Sequence, residues 1–121
     1  MTSPDPKSFY NETMPRKAGG DYERARWRTN QVLAAQYEMM TDMLDRLVAP
    51  RVKNARSVIE AGPGPGTWTT LLLSANGTAS YTLVDISREM LTQARQRLAG
   101  RTNVSFAESD LTSFETPQPF D

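Results

Sequence analysis

The sequence of 121 residues contains no cysteine and no histidine. Their absence removes thiol nucleophiles, disulfides, the usual thiolate and imidazole zinc sites and any histidine-based triad, so no metal site is expected. Chemistry on this chain must run on carboxylates, hydroxyls, the backbone or a cosubstrate. An excess of one charge is missing too, since 14 Lys and Arg balance 14 Asp and Glu. Without a basic surplus to attract phosphate backbones, a nucleic-acid partner is disfavoured and a small-molecule partner favoured. No apolar run reaches the roughly 20 residues of a membrane span, and the opening MTSPDPKSFYNETMPRKAGG lacks the apolar centre of a signal peptide. The expectation is a cytoplasmic protein with no membrane partner. The N-x-[ST] triplets at Asn11, Asn76 and Asn103 then read as chance matches to a glycosylation signal.

The length allows one hydrophobic core. Residues 1–20 place Pro4, Pro6, Pro15, Gly19 and Gly20 among polar residues, a composition expected of a flexible arm. Residues 21–50 read as an N-terminal helix. Asp21 is its candidate N-cap, and apolar residues recur at helical spacing through Val32, Ala35, Met39, Met43 and Leu47, with Leu33, Tyr37, Met40 and Leu44 beside them, until Pro50 ends the pattern. Such a stripe is expected to face a core, with a methionine-lined binding groove as the alternative.

Residues 51–121 change character. SVIEA (57–61), SYTLVD (80–85) and NVSFAE (103–108) read as strands. TWTTLLLSA (67–75) and the run capped by Ser87 and closed by Gly100 read as the helices between them. PQPFD looks like the approach to a fourth strand. The order implies an α/β fold, a Rossmann-like doubly wound parallel sheet cut off after the third strand, preceded by an N-terminal helix. In such a sheet the first strand lacks a neighbour on one side, so self-association through that exposed edge is an expectation, as is a chain that forms the front half of a longer protein.

Open α/β sheets bind ligands beyond the carboxyl ends of their strands. Glu60 ends the first strand, Asp85 ends the second and Asp110 lies just past the third, each one β-α unit from the last. Between the first strand and its helix lies GPGPG, with Gly62, Gly64 and Gly66 at alternate positions. A dinucleotide fingerprint of the form G-x-G-x-x-G fails at Thr67, and no lysine completes a phosphate loop. Pro63 and Pro65 also delete two backbone donors that a pyrophosphate would need. An acidic rim with a bare backbone suits a ligand with a cationic centre and hydroxyl and amine protons to donate. A glycine turn used only for tight packing is the structural alternative, and a dinucleotide-dependent oxidoreductase a poorer one.

VIEAGPGPG, LVDIS, MLTQAR and FAESDL together resemble the class I S-adenosylmethionine-dependent methyltransferases over about residues 56–121. The run from Asp85 to Ala94 is similar to the small-molecule branch of that family. The resemblance implies S-adenosylmethionine as cosubstrate and methyl transfer to an O, N or C nucleophile of a small molecule. It assigns Glu60, Gly62, Gly64 and Gly66 to the methionine end and Asp85 to the ribose hydroxyls. Ile86 would face the adenine, Asp110 its exocyclic amine, and Leu111 would offer a backbone N–H to the ring. Each has a plainer alternative: Asp85 and Asp110 as helix or turn caps, Ile86 as a packing residue. Tyr10, Tyr22, Arg24, Trp27 and Arg28 precede the core where this family often carries a lid. No catalytic residue is assigned, because in the family acceptor-binding groups lie largely after the fourth strand. The rival reading is a non-catalytic or truncated adenosyl-ligand-binding module.

Overall fold

A computed structural model of the chain describes residues 5–18 and 21–121. The chain opens with α1 (Pro6–Ser8), a π-helical turn (Phe9–Thr13) and α2 (Met14–Ala18), then α3 (Tyr22–Trp27), α4 (Gln31–Leu47) and α5 (Ala49–Val52). An alternating β-α segment follows: β1 (Ser57–Ala61), α6 (Thr67–Ala75), β2 (Ser80–Asp85), α7 (Arg88–Arg97) and β3 (Val104–Glu108). The strands form one parallel sheet in the order β1-β2-β3, with Glu60 beside Leu83 and Asp85 beside Glu108.

The β-branched and aromatic residues of β2 make it the centre of the core. Tyr81, Leu83 and Val84 are fully buried, and Leu72, Leu73, Ala79 and Leu98 close around Tyr81 and Leu83. A phenol so placed needs partners, and the Tyr81 hydroxyl lies 3.0 Å from the Leu72 carbonyl and 2.7 Å from that of Asn76. Asn76 is itself buried. Its amide donates to the Val52 and Ala55 carbonyls at 2.9 and 2.8 Å, while its oxygen accepts from Thr78 and Ala79. The side chains of Asn11 and Asn103 are likewise engaged in hydrogen bonds within the chain.

The N-terminal region departs from expectation. The segment expected to be a flexible arm is helical over residues 6–18, while residues 1–4 and 19–20 lie outside the described residues. Asp5 accepts from the Ser8 N–H and Pro6 stands at the first helical position, where its missing donor costs nothing. The helix expected over residues 21–50 is broken at residues 28–30, because Asn30 takes an extended conformation and caps α4 through the Leu33 N–H. Pro50 does not end the helical region but sits in the first turn of α5. Val32, Met39, Met43 and Leu47 are exposed, so this stripe does not face the core as expected. The half-buried face of α4 is the adjacent one, with Leu33, Tyr37, Met40 and Leu44.

Asp121, at the start of the expected fourth strand, accepts from the Arg56 and Ser57 N–H groups at 2.7 and 3.1 Å. It meets the first residue of β1, the edge strand of the sheet.

Candidate functional site

The glycine loop takes its shape from three left-handed residues, Gly62, Gly64 and Gly66, whose φ values are +66°, +57° and +83°. Any side chain there would strain the backbone, which explains the alternating pattern. The loop also consumes its own donors. The Gly62 N–H bonds the Val84 carbonyl at 2.8 Å, the Gly64 N–H bonds the Asp85 carboxylate at 3.1 Å, and the Gly66 N–H bonds the Pro63 carbonyl at 3.1 Å. With Pro63 and Pro65 lacking a donor, no N–H between residues 62 and 66 remains for a phosphate.

A cavity of about 370 Å³ opens at the carboxyl ends of the strands. Gly62, Gly64, Asp85, Ile86, Asp110 and Leu111 all line it, together with Pro6, Tyr10, Val84, Met90 and Ser109. A Cβ built on Gly62 or Gly64 would meet no atom within 4 Å, so both glycines leave open space on the ligand side. Gly66 differs. Its Cα faces α7, where a Cβ would lie 3.5 Å from Arg97 and 3.6 Å from Ala94, so it serves close packing of the loop on that helix.

Asp85 is buried at the centre of the rim. One carboxylate oxygen accepts from Gly64 and the other from the Ser87 N–H at 2.9 Å, so both the loop and the start of α7 orient it. Asp110 accepts from the Thr112 N–H and hydroxyl at 2.9 and 2.7 Å, and these bonds hold its carboxyl below the usual range. It is thus a turn residue and a cavity residue at once. Glu60 does not line the cavity. It is half-buried beneath the loop, where burial pushes its pKa up and the Thr69 hydroxyl, 2.5 Å away, partly opposes the rise.

The N-terminal helices complete the wall through contacts that no local pattern in the sequence signals. Asn11 accepts from the Ser87 hydroxyl at 2.8 Å and from the Glu89 N–H at 3.1 Å, docking the π-helical turn onto the start of α7. Ser87 meanwhile caps α7 through the Met90 N–H. Glu108 at the end of β3 binds both Lys7 and Arg88, and Arg97 pairs with Glu23 to hold α3 against α7. Tyr10 enters the cavity and meets Tyr22 edge-on at 6.2 Å. Of the residues expected in a lid, Tyr10 lines the cavity and Tyr22 backs it. Trp27 instead joins a cluster with Tyr37 and Trp68, and Arg24 and Arg28 are exposed.

A family model described as a methyltransferase domain matches residues 58–121. The chain belongs to the class I S-adenosylmethionine-dependent methyltransferases. Within this methyltransferase family, the trans-aconitate 2-methyltransferase of Rhodopseudomonas palustris is 34% identical over 93 residues, covering 77% of this chain and 35% of that relative. The enzyme of the same name from Rhizobium etli is 30% identical over 95 residues, covering 78% and 36%. The chain therefore spans about a third of the length of the curated relatives it matches. Among solved structures, magnesium protoporphyrin IX methyltransferase from Synechocystis, with bound S-adenosylhomocysteine, superposes with a TM-score of 0.64. It is 22% identical and the match covers 90% of this chain and 52% of that one. The N-methyltransferase NodS from Bradyrhizobium japonicum, also with S-adenosylhomocysteine, gives 0.62 at 17% identity, covering 92% and 53%. At these identities the likeness establishes the Rossmann-like fold of the methyltransferase. No described helix is long and apolar enough to cross a membrane.

Proposed function

We propose that the protein binds S-adenosylmethionine in the rim cavity and passes its methyl group to a small molecule bearing a carboxylate. The observation that carries the cosubstrate reading is the convergence of Gly62, Gly64, Asp85, Ile86, Asp110 and Leu111 on one cavity. The open, left-handed backbone at Gly62 and Gly64 leaves the cradle that a Cβ would fill. Asp85, fixed by Gly64 and Ser87, keeps acceptor capacity for the two ribose hydroxyls. Ile86 offers an apolar face to the adenine, Asp110 accepts from its amine, and the Leu111 N–H serves the ring. The loop backbone at Gly62 and Gly64 holds the methionine end, and Glu60, behind the cavity wall, acts on the cationic sulfur only through its charge.

The trans-aconitate methyltransferases, at 30–34% identity, support a carboxylate acceptor. When bound, S-adenosylmethionine supplies an electrophilic methyl group, which a carboxylate oxygen takes as the C–S bond breaks onto sulfur, leaving a methyl ester and neutral S-adenosylhomocysteine. That exchange moves no proton, so it asks no general base of this chain. The chain's contribution is then orientation of the two reactants and exclusion of water.

Calorimetric titration with S-adenosylmethionine, S-adenosylhomocysteine and NAD tests the reading. Both adenosyl ligands are expected to bind and NAD to give no heat. Tight NAD binding with no response to either adenosyl ligand overturns it.

A further inference from the structure

The basic residues of the chain divide by burial. Every described Lys and Arg is exposed except Arg26, which is half-buried on α3. Arg46, Arg56, Arg88 and Arg97 each have a carboxylate partner, whereas Arg26 has none among the described residues. Its guanidinium lies instead 3.9 Å from the centroid of the Trp27 ring. A cation drawn out of water without a counter-ion is costly, and an anion arriving beside it gains a charge-assisted hydrogen bond in a setting of low dielectric. Stacking on the indole leaves the edge of the guanidinium, with its fork of N–H donors, open to a carboxylate.

Arg26 lines a groove of about 510 Å³ with Trp27, Gln36, Met39, Met40 and Met43. Met39 and Met43 are 70% and 44% exposed, so the walls are apolar, adaptable and open to solvent. Such a lining accepts the carbon skeleton of a small ligand while Arg26 supplies the one charge.

The groove shares no lining residue with the cosubstrate cavity, but packed side chains link the two. Tyr22 lies one turn before Arg26 on the same face of α3, and it packs on Tyr10, which lines that cavity. Arg26 acts on the Tyr22 hydroxyl, opposing the rise in its pKa that burial, Tyr10 and Asp85 impose. On the other flank, Trp27 contacts Trp68 at 5.6 Å, and Trp68 is the second residue of the helix that leaves the glycine loop.

We infer that the groove between α3 and α4 receives the carboxylate-bearing methyl acceptor, with Arg26 as its charge anchor. The inference rests on the reading of the protein as a methyl donor to a small carboxylate, and it deepens that reading by naming the acceptor's seat. Trp27 forms part of the seat, so tryptophan fluorescence reads its occupancy directly.

The test is a fluorescence titration of the full chain, saturated with S-adenosylhomocysteine, using trans-aconitate as probe. A saturable change is expected with trans-aconitate and none with its trimethyl ester, which keeps the shape and loses the charge. Arg26→Gln should weaken the response about tenfold or more. Met39→Glu, which sets a competing carboxylate beside Arg26 at an exposed position, should do the same and decides the matter if Arg26→Gln fails to fold. Arg101→Gln, which removes one positive charge elsewhere, should leave the affinity within twofold. Unchanged affinity in Arg26→Gln or Met39→Glu overturns the inference, as does a wild-type chain that binds S-adenosylhomocysteine and ignores trans-aconitate. A wild-type chain that fails to bind S-adenosylhomocysteine sinks the cosubstrate reading instead. A trans-aconitate response abolished by Arg26→Gln in that case still upholds the groove.

Discussion

The backbone N–H of Gly64 points at the carboxylate of Asp85 from 3.1 Å, joining the middle of the glycine loop to the end of the neighbouring strand. The bond links two residues that the sequence separates by a whole β-α unit. It also means that the side chain proposed to receive the ribose is part of the scaffold that shapes the loop.

Asp85→Ala removes both roles together. Affinity for S-adenosylhomocysteine, measured by calorimetry, should fall about tenfold or more, the loss of one or two charge-assisted hydrogen bonds. An affinity equal to wild type would leave Asp85 with scaffolding alone.

Gly64→Ala and Gly66→Ala separate backbone strain from ligand contact. Each forces a Cβ into the left-handed region and should cost about 1–2 kcal/mol in urea unfolding. Only the Gly64 methyl enters open space on the cavity side, so only Gly64→Ala should weaken S-adenosylhomocysteine binding by the folded protein. Equal binding losses in both variants would contradict the division of labour within the loop.

Glu60 makes stability depend on pH. Burial raises its folded-state pKa above the ordinary carboxylate range, so the folded protein holds this proton more tightly than the unfolded chain does. Stability therefore falls as pH rises from about the unfolded value through the raised one, and the cost is complete above it. Glu60→Gln, which keeps an acceptor for Thr69, should equal wild type in acid and exceed it in stability at neutral pH. Urea melts across that range check the sign, and a variant less stable than wild type at neutral pH would refute the assignment.

Asn11→Ala cuts the contact between the π-helical turn and the start of α7, leaving the Ser87 hydroxyl and the Glu89 N–H without that acceptor. Trypsin should then cleave at Lys7, Arg16 and Lys17 faster than in wild type, while cleavage at Arg95 and Arg97 stays slow. Uniform acceleration at all sites would show that Asn11 supports the whole fold rather than the docking of its first helices.

The sheet and its crossover helices were legible because their signals are local. SVIEA and SYTLVD form strands at the expected bounds, and TWTTLLLSA forms its helix between a left-handed Gly66 and Asn76. The N-terminal half was less legible for reasons that are physical. Proline at positions 6 and 50 argues against helix, yet both residues occupy first turns, where proline is tolerated. The methionine stripe shows that α4 is amphipathic but not what lies against either face. Asn11 carried no local signal at all, since its partners Ser87 and Glu89 are distant in sequence. Of the candidate site residues, Gly62, Gly64, Asp85, Ile86, Asp110 and Leu111 line one cavity. Glu60 and Gly66 instead lie behind the cavity wall, a distinction that alternating spacing alone does not encode.

A loop whose amides are all engaged discriminates by what it declines to hold. ATP and NAD share the adenosine proposed to bind at the rim of Asp85, Ile86 and Asp110, so that half of the site offers no protection from them. Their phosphate tails would meet a proline-studded turn with no donor free between residues 62 and 66, and buried acid at Glu60 behind it. On the proposed cosubstrate reading, GPGPG works as a filter among phosphorylated adenosines, admitting the same head only when it arrives with a cationic tail.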